Sequence, residues 1–299
     1  MSGHALIISD LHLGRPGRRS PTAEALRPLW QDADELIVNG DVAEVHHPHY
    51  RGVAAREVLR LADLCHEDGV RITVISGNHD AYLTDRRHLL LADGRIIVTH
   101  GDSLHPQIVP WSPDAHRLES AYRAAMQHVD DPAAPTLEDI LAASQHAAHH
   151  EWIITSNHSR RAALRRLLTN PRCMLEVIRA WRNYPVHAAA FAALHVPDAQ
   201  VIVFGHTHRA GVWTPGERIV MNTGSFGWPG RPHAVLVDGE TVSLWPIETR
   251  RRHGHRLHVL GAAPKHTVHL APSSIEDVVQ NTPVETVRPT DGPITHPAA

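Results

Sequence analysis

The stretch ALIISDLH, Ala5–His12, sets a short apolar run against a polar end that carries a carboxylate and an imidazole separated by a single residue. A run of this length, rich in Ile and Leu, fits a strand buried on both faces better than a helix. Beyond a strand end, Asp10 and His12 are two residues apart and lean to one side. The same construction recurs downstream. ELIV (Glu35–Val38) leads to Gly40-Asp41, and RITVI (Arg71–Ile75) to Gly77-Asn78-His79-Asp80. RIIVT (Arg95–Thr99) leads to His100-Gly101-Asp102, and QVIVF (Gln200–Phe204) to Gly205-His206-Thr207-His208. Open α/β sheets bind their ligands beyond the carboxyl ends of the strands, so five such ends bring carboxylate, imidazole and amide groups to one rim. Gly40, Gly77 and Gly205 are placed to make the tight turns that aim each following side chain at that rim.

Asp10, His12, Asp41, Asn78, His100, His206 and His208 are seven nitrogen and oxygen donors with no thiolate among them. That chemistry disfavours iron–sulfur clusters and structural zinc and favours a hydrolytic ion such as Mn²⁺, Fe²⁺, Zn²⁺ or Mg²⁺. One ion open to solvent needs three or four donors. Seven suit two ions that share a carboxylate. Any one of these residues alone reads equally well as turn or cap polarity, and the argument rests on the ordered set.

The ordered string D-x-H, G-D, G-N-H-D, H-G-D, G-H-T-H resembles the calcineurin-like metallophosphoesterase superfamily, over roughly residues 4–248. The resemblance implies a four-layer α/β/β/α sandwich with a two-metal site. It assigns Asp10, His12 and His208 to one ion, Asn78, His100 and His206 to the other, and Asp41 to a bridge. It implies that His79 protonates the leaving oxygen or stabilises its charge, that Asp80 orients His79, and that a metal-bridging hydroxide attacks phosphorus. The expected cofactors are two divalent ions per chain, foremost Mn²⁺, and the expected partner is a small phosphorylated substrate. Asn78 and Arg15, which follows the first motif, are candidate phosphate contacts.

The organisation around the motifs is α/β. Val53–His66 puts Ala54, Val58, Leu61, Ala62 and Cys65 on one helical face and stops before Gly69. Three late runs, Arg218–Met221, Ala234–Val237 and Thr241–Trp245, add strands, the last two joined by an Asp238-Gly239-Glu240 turn. Alternation early and a hairpin late predict a mixed sheet. Between the fourth and fifth motif strands, residues 105–197 form a helical insertion, read as a lid over the site or as a layer on the sheet. Within it, Ser112-Pro113 predicts the start of a helix over Ala115–Val129, and Thr136-Leu137-Glu138-Asp139 predicts a capping box. Ser159–Leu168 and Cys173–Trp181 read as helices, and Asn170-Pro171 and Tyr184-Pro185 as breaks. The catalytic domain is expected over residues 1–250. Residues 251–299, with six prolines after position 262, are expected to be an extended or disordered tail.

Composition sets the outer bounds. The 299 residues carry 29 Lys+Arg against 32 Asp+Glu, a net charge of −3 that gives no reason to expect a nucleic-acid binder. A nuclease would also want a basic tract with interleaved aromatics, which is lacking. Two cysteines, Cys65 and Cys173, are too few for a disulfide framework and point to a reducing, cytoplasmic setting. No apolar run is long enough for a membrane span. Oligomeric state is not legible.

Rival readings stay open. UDP-diacylglucosamine pyrophosphatases also show an H-G-D block and a helical insertion, but typically carry Arg where this chain has His79. A scaffold of the same fold need not retain every ligand. The 27 His residues also admit a metal store or sensor. His46, His47 and His49 after the Gly40-Asp41 turn, and Arg160, Arg161, Arg165 and Arg166 in the insertion, are secondary candidates for substrate contact. For the arginines a solvated helix face is the simpler reading.

Overall fold

In the computed structural model, β1 (Ala5–Ile8) is buried along its whole length. It pairs in parallel with β2 (Glu35–Asn39), Ala5 opposite Glu35, after a crossover through the single-turn helix α1 (Ala23–Leu26). Helix α2 (Arg51–Glu67) then returns the chain to β3 (Arg71–Ile75), parallel to β2. The described residues are 3–16, 20–112, 114–155, 171–227 and 230–272.

A second sheet begins with β4 (His88–Leu91) and β5 (Ile96–Thr99). The insertion follows, as α3 (Ala115–Met126), α4 (Leu137–Thr155) and α5 (Pro171–His195). The chain re-enters the sheet at β6 (Val201–Phe204), then forms β7 (Gly211–Trp213) and β8 (Ile219–Asn222). It completes the first sheet with β9 (His233–Asp238), β10 (Thr241–Arg252), β11 (His255–Leu260) and β12 (His266–His269). The sheet orders are β11-β10-β9-β1-β2-β3, with β12 also on β10, and β4-β5-β6-β8-β7.

Side-chain alternation assembles the sheets. Ala5, Ile7, Ile37 and Ile75 cluster with Ile96, Val98, Val201 and Val203, so the two sheets pack face to face. The opposite faces of β1 and β2, Leu6, Ile8, Leu36 and Val38, pack with Leu26, Trp30, Leu61 and Leu64. On the second sheet Ile97, Ile202, Phe204 and Val220 pack with Tyr184, Ala188 and Ala192 of α5. Each fully buried aliphatic side chain is worth about 1.5–3 kcal/mol. A period of two, apolar on both faces, is therefore what holds each central strand between two packed surfaces.

Several expectations are met closely. β9 and β10 form the expected hairpin, with Asp238 opposite Thr241 and Gly239 at φ +55°. Thr136 and Asp139 make a reciprocal capping box: Asp139 N–H donates to Thr136 Oγ1 at 3.2 Å and Thr136 N–H to Asp139 Oδ2 at 2.9 Å.

Three expectations are corrected. Sheet pairing does not end near residue 250: β11 pairs β10 and β12 pairs β10, and Leu270 is buried in the cluster between the sheets. These strands sit at a sheet edge, alternate few large apolar residues with polar ones, and so show no strong periodicity. Pro185 does not break a helix but lies inside α5. The backbone hydrogen bond lost there is offset by tertiary packing, with Tyr184 buried and stacked on Phe204 at 6.1 Å. The helix expected over Ala115–Val129 starts at Ala115 but ends earlier, at Met126. Strands β4 and β7, four and three residues long, were not legible. The helix expected over Ser159–Leu168 and its four arginines lie outside the described residues.

The insertion divides its roles. α5 is a layer on the second sheet. α3 and α4 instead pack Leu118, Ala147 and Ala148 against Ala81 and Ile108, beside the third and fourth motif loops.

Candidate metal centre

All seven candidate donors lie beyond strand ends. Five of them, Asp10, His12, Asp41, His206 and His208, adopt left-handed backbone angles with φ between 49° and 60°. That region is uncommon for residues other than glycine and concentrates where surrounding structure holds a functional geometry. The glycines explain how the loops close in. A Cβ on Gly40 would overlap the His100 ring, and one on Gly77 would overlap the Asp41 carboxylate.

Asp10, His12, Asp41 and His208 offer ligand atoms that all lie within 4.8 Å of one another. His208 Nε2 is 3.0 Å from Asp10 Oδ1 and 3.2 Å from His12 Nε2, and His12 Nε2 is 3.7 Å from Asp41 Oδ2. On the other side of Asp41, His100 Nε2 is 3.3 Å from Oδ1. His206 Nδ1 is 3.0 Å from Asn78 Oδ1. Asp41 therefore faces both groups, one oxygen to each.

The ring tautomers point lone pairs into the site. His100 Nδ1–H donates to the Asn39 carbonyl at 2.9 Å, and His206 Nε2–H to the Ile108 carbonyl at 2.8 Å. Burial, with His100 nearby, pushes His206 down to about 4, so its ring is neutral near pH 7. Its Nδ1 lone pair then faces the Asn78 carbonyl oxygen, two acceptors that a shared cation satisfies. Burial and the Arg15 cation push His12 down to about 3, the neutral form a ligand needs. His100 behaves oppositely: burial opposes its charge, yet Asp41 and Asp10 carry it up to about 10. Asp10 Oδ1 and His100 Nε2 are buried and face only other candidate donors, His208 Nε2 and Asp41 Oδ1. Buried carboxylates and nitrogen donors crowded against one another in this way fit a pair of divalent cations.

Glu44 is the residue that sequence reasoning missed. Its Oε1 accepts from His12 Nδ1 at 3.0 Å and its Oε2 lies 3.2 Å from His79 Nδ1. It also pairs with Arg15, whose Nη2 is 3.4 Å from His79 Nδ1. The only sequence signal was a carboxylate three residues after Asp41. The carboxylate beside the His79 ring is thus Glu44, in the place expected for Asp80. Asp80 instead accepts from Gly77 and Val42 N–H, each at 2.6 Å, and from Ala43 N–H at 3.3 Å. It ties the third motif turn to the loop that carries Asp41. His79 keeps its side chain 24% exposed, with Nε2 3.9 Å from Asp41 Oδ2, while its backbone N–H donates to Asp41 Oδ1 at 2.8 Å. Arg15 is 13% exposed and faces Glu44.

Other polar residues brace the loops. Asn222 Nδ2 donates to the Gly205 carbonyl at 2.5 Å, and Arg87 bridges Asp102 at 2.5 Å and the Ser76 carbonyl at 2.8 Å. The insertion reaches the site through the Ile108 carbonyl and Trp111, whose ring lies 5.1 Å from that of His206. His46 lies in a ring cluster with Tyr82 and His149, the latter from α4, whereas His47 stacks on Tyr50 at 4.0 Å.

Two mixed sheets with such a cluster at the strand ends define a class of α/β proteins built around a metal-competent rim. Within that class the chain belongs to the calcineurin-like phosphoesterase family, whose sequence model matches residues 3–210. No curated protein sequence matches it. Solved structures similar to it include a dimetal phosphatase from Danio rerio, at 13% identity, covering 81% of this chain and 95% of that one, TM-score 0.43. Another is the phosphoesterase Yfce from E. coli, at 18% identity, covering 80% and 91%, TM-score 0.37. A third is Vps29 from Chaetomium thermophilum, at 13% identity, covering 88% and 96%, TM-score 0.42. Among the described residues no helix is long and apolar enough to cross a membrane.

Proposed function

We propose that the protein is a dinuclear metal-dependent phosphoesterase that hydrolyses a small phosphate monoester or diester. The observation that carries this reading is the Asp41 carboxylate, which turns one oxygen toward His12 and the other toward His100, between two groups of inward-facing donors. Asp10, His12 and His208 would hold one divalent ion, Asn78, His100 and His206 the other, with Asp41 shared. The nitrogen and oxygen donor set suits Mn²⁺, with Fe²⁺, Zn²⁺ and Mg²⁺ as alternatives. When bound, such a pair supplies a hydrolytic nucleophile near neutral pH and neutralises phosphoryl charge.

The chain's own residues do the rest. Burial opposes charge on His79, but Glu44 and Asp41 raise it to about 9, so its ring carries a proton near neutrality. Partly exposed and next to the shared carboxylate, it can give that proton to the leaving oxygen. Asn78 and Arg15 are the phosphate contacts in this reading, Arg15 from its place beside His79. A reducing, cytoplasmic setting agrees with the buried free thiol of Cys65.

The test is a metal-reconstituted screen against phosphomonoesters, cyclic nucleotides, diesters and nucleotide-sugar pyrophosphates. Turnover that depends on about two ions per chain and disappears in Asp41→Ala supports the reading. A protein that binds the ions and leaves every one of these compounds intact is a scaffold, and the proposal fails.

A further inference from the structure

The insertion carries a second histidine cluster, outside the candidate dinuclear centre. On α4, His146 and His150 are one helical turn apart and therefore share a face. Their Nε2 atoms are 3.1 Å apart and their ring centroids 4.7 Å. Two imidazole nitrogens bound to one tetrahedral Zn²⁺ at about 2.0–2.1 Å stand about 3.3 Å from each other. The pair is thus already at chelating separation, and only a small rotamer adjustment separates it from ideal geometry.

The surroundings favour a ligand over a packing role. His146 is exposed and His150 half-buried, while the two residues between them and His149, Ala147 and Ala148, are fully buried against Leu118, Ala81 and Ile108. The backbone that presents the pair is therefore fixed, which lowers the ordering cost of binding. A third imidazole comes from the segment after α3. His128 Nδ1–H donates to the Ala124 carbonyl at 2.8 Å, which leaves its Nε2 as a lone pair. His128 and His146 line one groove between α3 and α4, a cavity of about 390 Å³.

We propose that His146 and His150 form a separate two-imidazole site for one borderline-soft divalent ion, Zn²⁺ in the first instance, on α4, with His128 lining the adjoining groove rather than completing the ligand pair. Imidazole-only donors suit Zn²⁺, Cu²⁺ and Ni²⁺ and discriminate against Mg²⁺ and Ca²⁺. The site is independent of the hydrolytic reading: it requires neither Asp41 nor turnover. Burial, with the His150, His149 and His128 rings nearby, lowers the pKa of His146 below its ordinary value, which favours the neutral ring a cation needs.

The test is calorimetric titration of the full chain, preloaded with Mn²⁺, with Zn²⁺ alone, in parallel on wild type and on the double variant His146→Gln, His150→Gln. Both substituted side chains lie outside the buried set, and the catalytic candidates are untouched. Wild type is expected to take up one more Zn²⁺ per chain than the double variant. His150→Gln alone should weaken that step at least tenfold, whereas His128→Gln should leave it in place. Co²⁺ substitution gives a second readout, a visible absorption difference between wild type and double variant. Identical isotherms and identical Co²⁺ spectra in the two proteins would mean that the rings merely share a proton, and the site would be withdrawn.

Discussion

The Glu44 carboxylate accepts the Nδ1–H of His12 at 3.0 Å. That contact fixes the His12 tautomer and turns its Nε2 toward Asp41 and His208. Carboxylates that hold a metal-ligating imidazole in this way tune both its orientation and its basicity. Since the second oxygen of Glu44 faces His79, one side chain positions a candidate ligand and the candidate proton donor together.

Glu44→Ala is expected to lower metal affinity about 10–100-fold, the usual cost of losing such a partner. It should also move the alkaline limb of the pH–rate profile. As the proposed proton donor His79 acts in its protonated form, so activity is expected to fall as pH rises through its pKa. Removing a neighbouring anion lowers that pKa from about 9, and the fall begins at lower pH. Metal titration and kcat/KM against pH check the two parts. An unchanged alkaline limb at saturating metal would remove Glu44 from the role of holding His79.

His79→Ala should retain both ions and lose most turnover on alkyl phosphates, by about 10²–10⁴-fold for a lost general acid. A nitrophenyl ester, whose leaving group hardly needs a proton, should lose much less. Equal losses on both substrates would argue against proton donation.

Gly77→Ala is expected to fold and to bind metal poorly. Its new methyl group would meet the Asp41 carboxylate, its backbone and the His100 ring, none of which can retreat. Circular dichroism should stay native while metal content drops below that of wild type.

The C-terminal strands should matter for folding. Truncation after Arg252 removes the partners of β10 on both sides of the hairpin region and uncovers the cluster around Leu270. The expected result is a lowered Tm and poor solubility. Leu270→Ala alone should cost about 2–5 kcal/mol, the range for a buried Leu, measured by denaturant unfolding.

His258 on β11 gives a pH signature of the same region. Burial, with Arg256 nearby, pushes it from 6.5 down to about 4 in the folded chain. Between those values the unfolded chain binds the extra proton and the folded chain does not. Its contribution to stability is therefore intact above about pH 6.5 and declines as pH falls toward 4. Tm measured from pH 7 to pH 4.5 should drop less in His258→Gln than in wild type.

Much of the site was legible because its chemistry is local. An Asp-x-His or Gly-His-Thr-His string at the end of an apolar run states both the donors and the strand that delivers them. What escaped was whatever depends on contacts across the chain. Glu44 sits in an ordinary loop sequence, and only the arrival of His12 and His79 on its two oxygens gives it a role. Asp80 is next to His79 in sequence, yet its carboxylate meets the N–H groups of Val42 and Gly77. β11 and β12 escaped because edge strands need little apolar periodicity when a long neighbour such as β10 supplies their pairing. Pro185 was misleading because a helix-breaking tendency of about 3 kcal/mol is outweighed when the preceding residue, Tyr184, is packed against a sheet.

By itself, the sequence determined the order of the central strands' motifs and the identity of the candidate donors, since period-two burial and turn glycines are properties of neighbouring residues. The tertiary structure alone decided which carboxylate lies beside His79, where that of Asp80 goes, and where the sheet ends. Those outcomes depend on distances between segments far apart in the chain, and such distances are set only when the two sheets pack.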